Sequence, residues 1–380
     1  MSANDAARQT NPGQPPILTA AELAAARRAP PFPCAVRLGD GLRLDLLRPL
    51  RVLPGKRIVG EGLWNGRRVL AKLFIAAGGR RHWRRERDGL AALAAAEIPT
   101  TPILAAGALA AGGHYLLTPF LPEAHDLADE LQTDADAARA RLQAACALLG
   151  RLHAHGLIHG DLHPANFLID AGAPRLIDGD AVRRRAAPLP ATEAAANFAA
   201  FLATLPPDLP LDGLDDAYRA GNPRSGLSLA ALRPSLEKHR RAQLADYLRK
   251  TVRPCTLFDV RRTVHRFTAV GRADAAPLAA LLADPDRAMA SGTPLKDGNT
   301  ATVVRVEVDG RMLVIKRYNL KSAAHSLSRA WRPSRAWLSW REGHRLRFLG
   351  IPTPTPRALI EERLGPLRRR AWLMTDYHGG

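Results

Sequence analysis

The first part of the chain alternates apolar and polar positions in short runs. From Val36 to about Leu70 this alternation is interrupted at Gly39-Asp40-Gly41, Pro54-Gly55 and Asn65-Gly66. A two-residue period is typical of a half-buried strand, and glycine, proline and asparagine favour tight turns. The pattern therefore predicts an antiparallel meander of strands joined by hairpins.

Helical periodicity begins after this meander. It predicts a helix over Arg80–Ala96, because Pro99 and Pro102 then end the pattern. A further strand is predicted at His114–Phe120. Beyond about Asp134 the helical spacing dominates, and the long predicted helices are Ala137–His155, Glu193–Leu205 and Pro234–Arg249. A small β-rich lobe is therefore expected to precede a larger helical lobe.

The two ends of this region differ in composition from it. Residues 1–33 mix small, polar and proline residues around one short helical stretch, Thr19–Ala29, and are expected to form a flexible arm. The sequence MSANDAARQTNPGQPP does not have the apolar run of a secretory signal. No apolar run approaches the roughly 20 residues that cross a bilayer, so any membrane contact is expected to be peripheral.

Part of the sequence repeats in the same order. WNGRRVLAKLF at 64–74 resembles VDGRMLVIKRY at 308–318, and this match places Lys72 opposite Lys316. The later matches are WRRERDGLAAL at 83–93 with WREGHRLRFL at 340–349, IPTTP at 98–102 with IPTPTP at 351–356, and YLLTPFL at 115–121 with WLMTDY at 372–377. They place Glu86 opposite Glu342, and four blocks in one order predict a second copy of the first lobe.

The segment HGLIHGDLHPANFLIDAGAPRLIDGD, residues 155–180, carries the strongest chemical pattern. Asp161 precedes Asn166 by five positions, and Asp178 follows after an apolar strand. One carboxylate that orients a hydroxyl, with an amide oxygen and a second carboxylate for Mg²⁺, is what a phosphoryl-transfer site needs. The alternative is a solvated loop whose Asp and Asn residues cap helices.

Lys72 lies in the apolar strand sequence AKLF, where a charge is costly without an anionic partner. Glu86 on the following predicted helix can be that partner and hold the ammonium against the phosphates of a nucleotide. A surface Lys–Glu pair is the alternative. The recurrence of both residues as Lys316 and Glu342 favours function.

The series Lys72, Glu86, His159-Gly160-Asp161, Asn166 and Asp178 resembles the protein-kinase-like superfamily, in its branch of small-molecule, RIO-type and lipopolysaccharide kinases. The segment VIKRYNLKSAAHSLSRAWRPSRAWLSWREGHRLRFLGIPTPTP further resembles the amino-terminal lobe of bacterial lipopolysaccharide core kinases. The resemblance implies an α+β, protein-kinase-like fold of two lobes, β-rich and then helical, followed by a second kinase amino-terminal lobe. The expected domains are a complete kinase domain over 34–271 (lobes 34–118 and 122–271), a linker over 272–292, and a second lobe over 293–380 that stops at its hinge.

The same resemblance implies the cofactors ATP and Mg²⁺ and a set of site residues. Catalysis is assigned to Asp161, Asn166, Asp178, Lys72 and Glu86, and metal binding to Asn166, Asp178 and Asp180. ATP is expected to contact Lys72, Gly55 and Lys56 at the phosphate-covering turn, Thr118 and Phe120 at the hinge, and His163 near the transferred phosphate. The turn contains no GxGxxG sequence, and a plain hairpin is the alternative there.

The charge, the aromatic residues and the cysteine content limit the kinds of partner that the chain is expected to bind. The chain has 55 Lys and Arg against 36 Asp and Glu, a net charge of +19, which favours an anionic partner, although a GC-rich coding sequence also explains abundant Arg. Tryptophans alternate with arginines in one later segment: Trp331, Trp337 and Trp340 with Arg329, Arg332, Arg335 and Arg341. This pattern is typical of a segment that binds an anionic membrane surface or of a helix that packs on its own sheet. Three distant cysteines exclude a disulfide scaffold. A nucleic-acid partner is not expected, because no nucleic-acid-binding motif accompanies the charge.

The resemblance implies an ATP-dependent sugar kinase that phosphorylates an inner-core sugar of lipopolysaccharide, heptose or Kdo. Its expected place is the cytoplasmic face of the inner membrane, in peripheral contact with the glycolipid and with other core-biosynthesis enzymes. A small-molecule phosphotransferase of the aminoglycoside type is one alternative, and a non-catalytic scaffold is another. The second copy contains no HGD loop and is expected not to transfer phosphate by itself.

Overall fold

Residues 34–74 form the predicted meander. The computed structural model describes residues 15–298, 300–318, 332–365 and 367–378. The first strands are β1 (Cys34–Arg37), β2 (Arg43–Leu53), β3 (Arg57–Trp64) and β4 (Arg67–Phe74). Asn65 and Gly66 both have positive φ angles, of 48° and 75°, which is the backbone that a two-residue hairpin requires. The predicted hairpins are therefore confirmed.

A short helix, α1 (Ala20–Ala25), precedes the meander. The Thr19 side chain accepts a hydrogen bond from the Glu22 N–H at 3.2 Å, and the Glu22 carboxylate accepts one from the Thr19 N–H at 2.8 Å. Leu23 is fully buried in the core of the first sheet. The prediction of a flexible arm was therefore wrong for residues 15–33, because apolar side chains anchor them to the sheet. Residues 1–14 lie outside the described residues.

The first sheet is completed after helix α2 (Gly79–Ala95) by β5 (Ala105–Ala108) and β6 (His114–Pro119). Its antiparallel strands follow the order β1-β2-β3-β4-β6-β5. Lys72 on β4 lies opposite Val59 on one side and Leu116 on the other. A bridge between Leu38 and Leu109 joins the two ends, so the sheet is curled.

A mainly helical region follows the first sheet and carries short strands among its helices. Its elements are β7 (His125–Asp126), α3 (Leu127–Thr133), α4 (Ala135–Ala154), β8 (Leu157–His159), β9 (Phe167–Asp170), β10 (Ala173–Leu176), β11 (Val182–Arg184), α5 (Ala191–Leu202), α6 (Leu214–Gly221) and α7 (Leu229–Lys250). Its buried apolar side chains form one cluster with those of α2 and β6. This β-rich then helical order is the predicted kinase-like, two-lobed α+β fold.

The second half of the chain contains another antiparallel sheet. Its elements are β12 (Phe258–Arg262), β13 (Arg266–Gly271), α8 (Ala279–Ala283), α9 (Pro285–Ala290), β14 (Thr293–Gly298), β15 (Ala301–Val308), β16 (Arg311–Tyr318), α10 (Arg335–Phe348), β17 (Pro356–Leu364) and β18 (Leu367–Asp376). The strand order is β12-β13-β17-β18-β16-β15-β14. Five of these strands, β14-β15-β16-β18-β17, repeat the order β2-β3-β4-β6-β5 of the first sheet.

The predicted domain boundaries differ from those of the structure. The first unit extends to Leu236 apart from Pro206–Asp208, and the second comprises Pro206–Asp208 and the residues from Glu237 onward. The predicted end at 271 was wrong, because β13 pairs with β17 and so places β12 and β13 in the second sheet. The predicted linker, 272–292, forms α8 and α9, whose apolar side chains pack in the core of that unit.

Two of the three tryptophans in the basic segment pack on their own sheet. Trp340 is fully buried, and the Trp337 ring lies 4.9 Å from the ring of Phe267. Trp331 and Arg329 lie outside the described residues. In the part of the chain that the structure describes, no helix has the length and apolarity needed to cross a membrane.

Candidate active site

A buried ion pair joins the first sheet to helix α2. The Lys72 ammonium on β4 contacts the Glu86 carboxylate, and the Glu86 side chain is fully buried. Trp83 precedes Glu86 by three positions and is buried as well, so one face of α2 carries both side chains toward the sheet. The Lys72 Nζ also lies 3.6 Å from Asp178 Oδ1. Two predicted residues, Lys72 and Glu86, therefore meet beside a third.

The charges of this group depend on one another. Burial raises the pKa of Glu86 above its usual value, although the Lys72 charge opposes that shift. Burial is the largest single influence on Asp178 and disfavours its ionised form, but Lys72 acting together with Glu86 and Arg57 outweighs it and holds the pKa of Asp178 below its usual range. Asp178 is therefore an anion at neutral pH, and it faces the cation that Glu86 positions.

The turn after Asp178 fits closely against α2. Asp178 has a left-handed backbone (φ 71°, ψ 69°), and the Asp180 N–H donates to Glu86 Oε2 at 3.1 Å. A Cβ atom added to Gly89 would lie 2.0 Å from the carbonyl oxygen of Gly179. Because no side chain fits at that contact, Gly89 and Gly179 allow the helix backbone to fix the position of the Asp178 turn.

His159 holds the loop that carries Asp161. Its Nε2–H donates to the Asp178 carbonyl at 3.0 Å, and its Nδ1 accepts from the Asp161 N–H at 3.3 Å. One nitrogen must donate and the other must accept, so the ring is neutral, and burial accordingly lowers the pKa of His159. The Asn166 amide donates to the Asp161 carbonyl at 2.5 Å and closes the loop.

Further buried polar side chains form a hydrogen-bond network that fixes the backbone of His159. The Asn197 amide donates to the His159 carbonyl at 2.9 Å and accepts from His153 Nε2 at 3.0 Å. His153 Nδ1 accepts from the Tyr218 hydroxyl at 2.7 Å. Burial lowers the pKa of His153 to about 4, so the ring stays neutral. These four side chains connect α4, α5 and α6 to the loop.

Asp161 itself is exposed at a cavity of about 350 Å³. Its carboxylate forms no hydrogen bond or ion pair with the described residues. Asp178 and Asp180 border the same cavity, together with Gly160 and Ala181. Three further residues that no sequence pattern indicated line the cavity, Arg57, Arg85 and Arg183. An arginine-rich sequence gives no signal for which three guanidinium groups will converge.

The predicted metal residues fit a magnesium ion in part. Asp178 Oδ1 and Asp180 Oδ1 are buried and form no hydrogen bond with the described residues. The other Asp180 oxygen, Oδ2, lies 2.7 Å from His82 Nδ1. Among the described residues no group of three His, Cys, Asp or Glu side chains is placed to hold a metal. Mg²⁺ commonly binds one or two carboxylates together with substrate phosphates, and the two unpartnered oxygens suit that arrangement.

The other predicted nucleotide contacts do not border this cavity. Gly55 (φ 67°) forms a turn closed by the Lys56 N–H and the Leu53 carbonyl at 2.9 Å. Thr118 is buried in β6, and the Phe120 ring lies 4.8 Å from the guanidinium of Arg68. The His163 carbonyl accepts from the Asn166 N–H at 2.9 Å. Their contact with ATP remains a prediction.

The second sheet repeats the lysine without its carboxylate. Lys316 lies opposite Val303 and Leu373, as Lys72 lies opposite Val59 and Leu116. The expected partner Glu342 is 60% exposed and pairs with Arg345 at 3.5 Å. Glu342 follows its buried tryptophan by two positions instead of three, and about 100° of helix per residue turns it away from the sheet. The predicted equivalence of Glu342 with Glu86 was therefore wrong.

Comparison with known proteins identifies one segment. Residues 67–203 match the model of the lipopolysaccharide kinase (Kdo/WaaP) family. The structure titled "WaaP in complex with acyl carrier protein" is 21% identical over 51% of this chain and 88% of that chain, with a TM-score of 0.41. Vaccinia related kinase 3 is 14% identical over 43% and 55%, with a TM-score of 0.31. No curated protein matches the chain.

The matched segment contains the five residues to which catalysis was assigned. It begins five positions before Lys72 and extends past the Asp178 turn. The family is one of kinases, enzymes that transfer a phosphoryl group to an acceptor. Residues 67–203, and with them the candidate active site, match the model of the lipopolysaccharide kinase (Kdo/WaaP) family.

Proposed function

We propose that the first unit phosphorylates an inner-core sugar of lipopolysaccharide, heptose or Kdo, with ATP as the donor. The observation that carries this proposal is the exposed, unpaired carboxylate of Asp161 at a cavity that Asp178 and Asp180 also border. The Lys72–Glu86 ion pair lies next to Asp178. A proton acceptor for a hydroxyl therefore lies near a fixed cation for phosphate.

In this proposal Asp161 orients the acceptor hydroxyl and takes its proton. The hydroxyl oxygen forms a bond to the γ-phosphorus of ATP, and the bond from that phosphorus to the bridging oxygen of ADP breaks. Lys72, held by Glu86, neutralises charge on the α- and β-phosphates. His159 and Asn166 fix the Asp161 loop, so catalysis rests mainly on alignment and charge.

Asn166, Asp178 and Asp180 are proposed to hold Mg²⁺ on the nucleotide phosphates. When bound, the ion neutralises charge that develops on the transferred group. Two Asp oxygens without hydrogen-bond partners support the assignment of Asp178 and Asp180. His82 occupies the second oxygen of Asp180, so Asp180 offers one oxygen to the ion and Asp178 is the stronger ligand.

The cavity wall favours an anionic acceptor over a cationic one. Arg57, Arg85 and Arg183 border it, and guanidinium groups bind carboxylates and phosphates in two-pronged pairs. A sugar acid or a phosphorylated sugar meets this requirement. Asp178 and Asp180 of the same cavity are assigned to Mg²⁺ in this proposal, so the three arginines remain for the acceptor, and we disfavour a cationic acceptor of the aminoglycoside type.

The proposed place of the reaction is the cytoplasmic face of the inner membrane, before the glycolipid is exported. The net charge of +19 supports peripheral attraction to an anionic lipid surface and to the glycolipid itself. Contact with other core-biosynthesis enzymes belongs to the same proposal.

The test is phosphate transfer from γ-³²P-labelled ATP with Mg²⁺ to dephosphorylated lipopolysaccharide core. We expect Asp161→Ala to lower the transfer rate about 10³-fold, which is about 4 kcal/mol in activation free energy, with an unchanged circular dichroism spectrum. Asp129→Ala is the matched control, because Asp129 is another exposed aspartate of the first unit.

Other outcomes would contradict the proposal. Equal labelling by wild type and Asp161→Ala would remove Asp161 from the reaction. Binding of the glycolipid with no labelling by the wild type would favour the scaffold. Turnover of ATP only with aminoglycosides or other soluble acceptors would reject the glycolipid as the acceptor.

A further inference from the structure

A second cavity, of about 410 Å³, lies within the second unit. Strands β14, β15 and β16 form one wall, and the beginning of helix α10 forms the other. Three cationic residues line it, Lys296, Lys316 and Arg335, and no acidic residue does. The first cavity differs in this respect, because three aspartates border it together with three arginines.

The strand register places the two lysines on one face of the sheet. Lys296 lies opposite Val303, and Val303 lies opposite Lys316. Residues directly opposite in adjacent strands point to the same side, and two strand spacings separate the lysines by about 10 Å. Both ammonium groups can therefore approach one anion above Val303.

None of the three cationic groups has an acidic partner among the described residues. Lys316 Nζ lies 5.1 Å from the centre of the Tyr318 ring, and a 3.0 Å hydrogen bond between the Tyr318 and Ser339 hydroxyls holds that ring. The carboxylate that pairs with the lysine in the first sheet has no counterpart here, because Glu342 turns toward solvent. Lys316 is thus fixed in position with its charge available.

Helix α10 adds a further reason for an anion. Ser334 caps its first turn by accepting from the Trp337 N–H at 3.0 Å, and Arg335 is the first residue of the helix. A cation is unfavourable at a helix N-terminus because the helix dipole is positive there. An anion between Arg335 and the lysines would offset this repulsion and interact with the dipole at the same time.

We propose that this cavity binds a phosphate-bearing ligand without a metal ion. Three cations more than neutralise a phosphate dianion, and no carboxylate that would hold Mg²⁺ lines the cavity. The apolar and aromatic lining, Ala301, Val303, Tyr318 and Leu338, leaves room for the group that carries the phosphate. A nucleotide and a phosphorylated sugar both present this chemistry, so the phosphate is the feature that the site recognises.

The test is calorimetric titration of the full chain in EDTA with four probes: inorganic phosphate, ADP, glucose 6-phosphate and glucose. We expect Lys316→Met to lower the affinity for the phosphate-bearing probes at this site at least tenfold, and Lys296→Ala to lower it less. Lys238→Ala, which removes an exposed lysine elsewhere in the second unit, should leave the affinity unchanged.

The probes distinguish the possible sources of the phosphate. Binding of ADP alone would assign the site to a nucleotide, binding of glucose 6-phosphate alone would assign it to a sugar phosphate, and binding of all three phosphate-bearing probes would assign it to the phosphate group itself. The proposal is overturned if glucose binds as well as glucose 6-phosphate, or if Lys316→Met and Lys296→Ala titrate like the wild type. Because Asp161→Ala tests transfer separately, either proposal can fail without the other.

Discussion

The two sheets of this protein place a lysine at the same register position and surround it differently. In the first sheet Lys72 meets the buried Glu86, whereas in the second Lys316 meets no carboxylate of the described residues. The strand order and the residues opposite each lysine correspond in both sheets. The difference arises in the helix, where the glutamate follows the buried tryptophan by three positions in one copy and by two in the other.

A one-position change in sequence therefore alters side-chain orientation in a helix and in a sheet to different extents. A change of one position along α10 rotates a side chain by about 100°, so it exchanges a buried carboxylate for an exposed one. The sheet is unaffected, because its register is fixed by the pairing of all strands together. One lobe thus keeps a charged triad while the other keeps only the cation.

The largest difference between the two sheets is expected when the same substitution is made at Lys72 and at Lys316. Lys72→Met should lower phosphate transfer at least 100-fold and the free energy of unfolding by about 3 kcal/mol, because Glu86 is left buried without its partner. Lys316→Met should change neither by a measurable amount, since no buried carboxylate depends on it. Transfer assays and urea unfolding of both variants measure this contrast. Equal losses in the two variants would show that the two lysines serve one role.

Each unit contains a buried histidine for which a smaller effect on stability is expected. Burial lowers the pKa of both His153 and His344 to about 4. In the unfolded chain a histidine has an ordinary pKa near 6.5 and takes up a proton below that pH. In the folded chain the buried ring stays neutral until about pH 4. The free energy of unfolding therefore decreases as the pH falls from about 6.5 to about 4. The loss is up to about 3 kcal/mol for each ring, and there is none above about pH 7.5.

The measurement is amide hydrogen exchange of α4 and α10 at pH 7.5 and pH 5.0, expressed as protection factors. We expect His153→Phe to flatten the pH dependence in α4 only, and His344→Phe to flatten it in α10 only. His155→Gln is the control, because His155 is exposed. An unchanged pH dependence in α4 of His153→Phe would mean that other groups cause the acid sensitivity.

The smallest expected effect concerns the contact between α2 and the Asp178 turn. Gly89→Ala would place a Cβ against the Gly179 carbonyl, and we expect a loss of about 1–3 kcal/mol in stability. Transfer should fall as well, because the turn carries Asp178. Gly226→Ala is the control, since a Cβ there meets no atom within 4 Å. Thermal unfolding and transfer assays of the two variants test this prediction. Equal results for both variants would show that the contact at Gly89 does not affect the candidate active site.

Much of the fold and site followed from sequence patterns. Turn residues at Asn65-Gly66 and the periodicity around Glu86 predicted the first sheet and α2, because both signals are local. The residues of segment 155–180 pointed to their chemistry through spacing alone. The sequence did not predict that β12 and β13 would join the second sheet, because strand pairing across about 90 positions has no local signal.

The sequence by itself determined the meander, most of the helices of the first unit and the identity of the charged groups at the candidate site, since backbone propensity and hydrophobic period act over a few residues. Tertiary structure decided which of those charges meet. Lys72 and Lys316 occupy equivalent positions in their sheets, yet packing of the following helix gives a carboxylate to one and an open cavity to the other. Tertiary structure also decided that Arg57, Arg85 and Arg183 line the same cavity as Asp161, because residues distant in sequence converge only when the chain is folded.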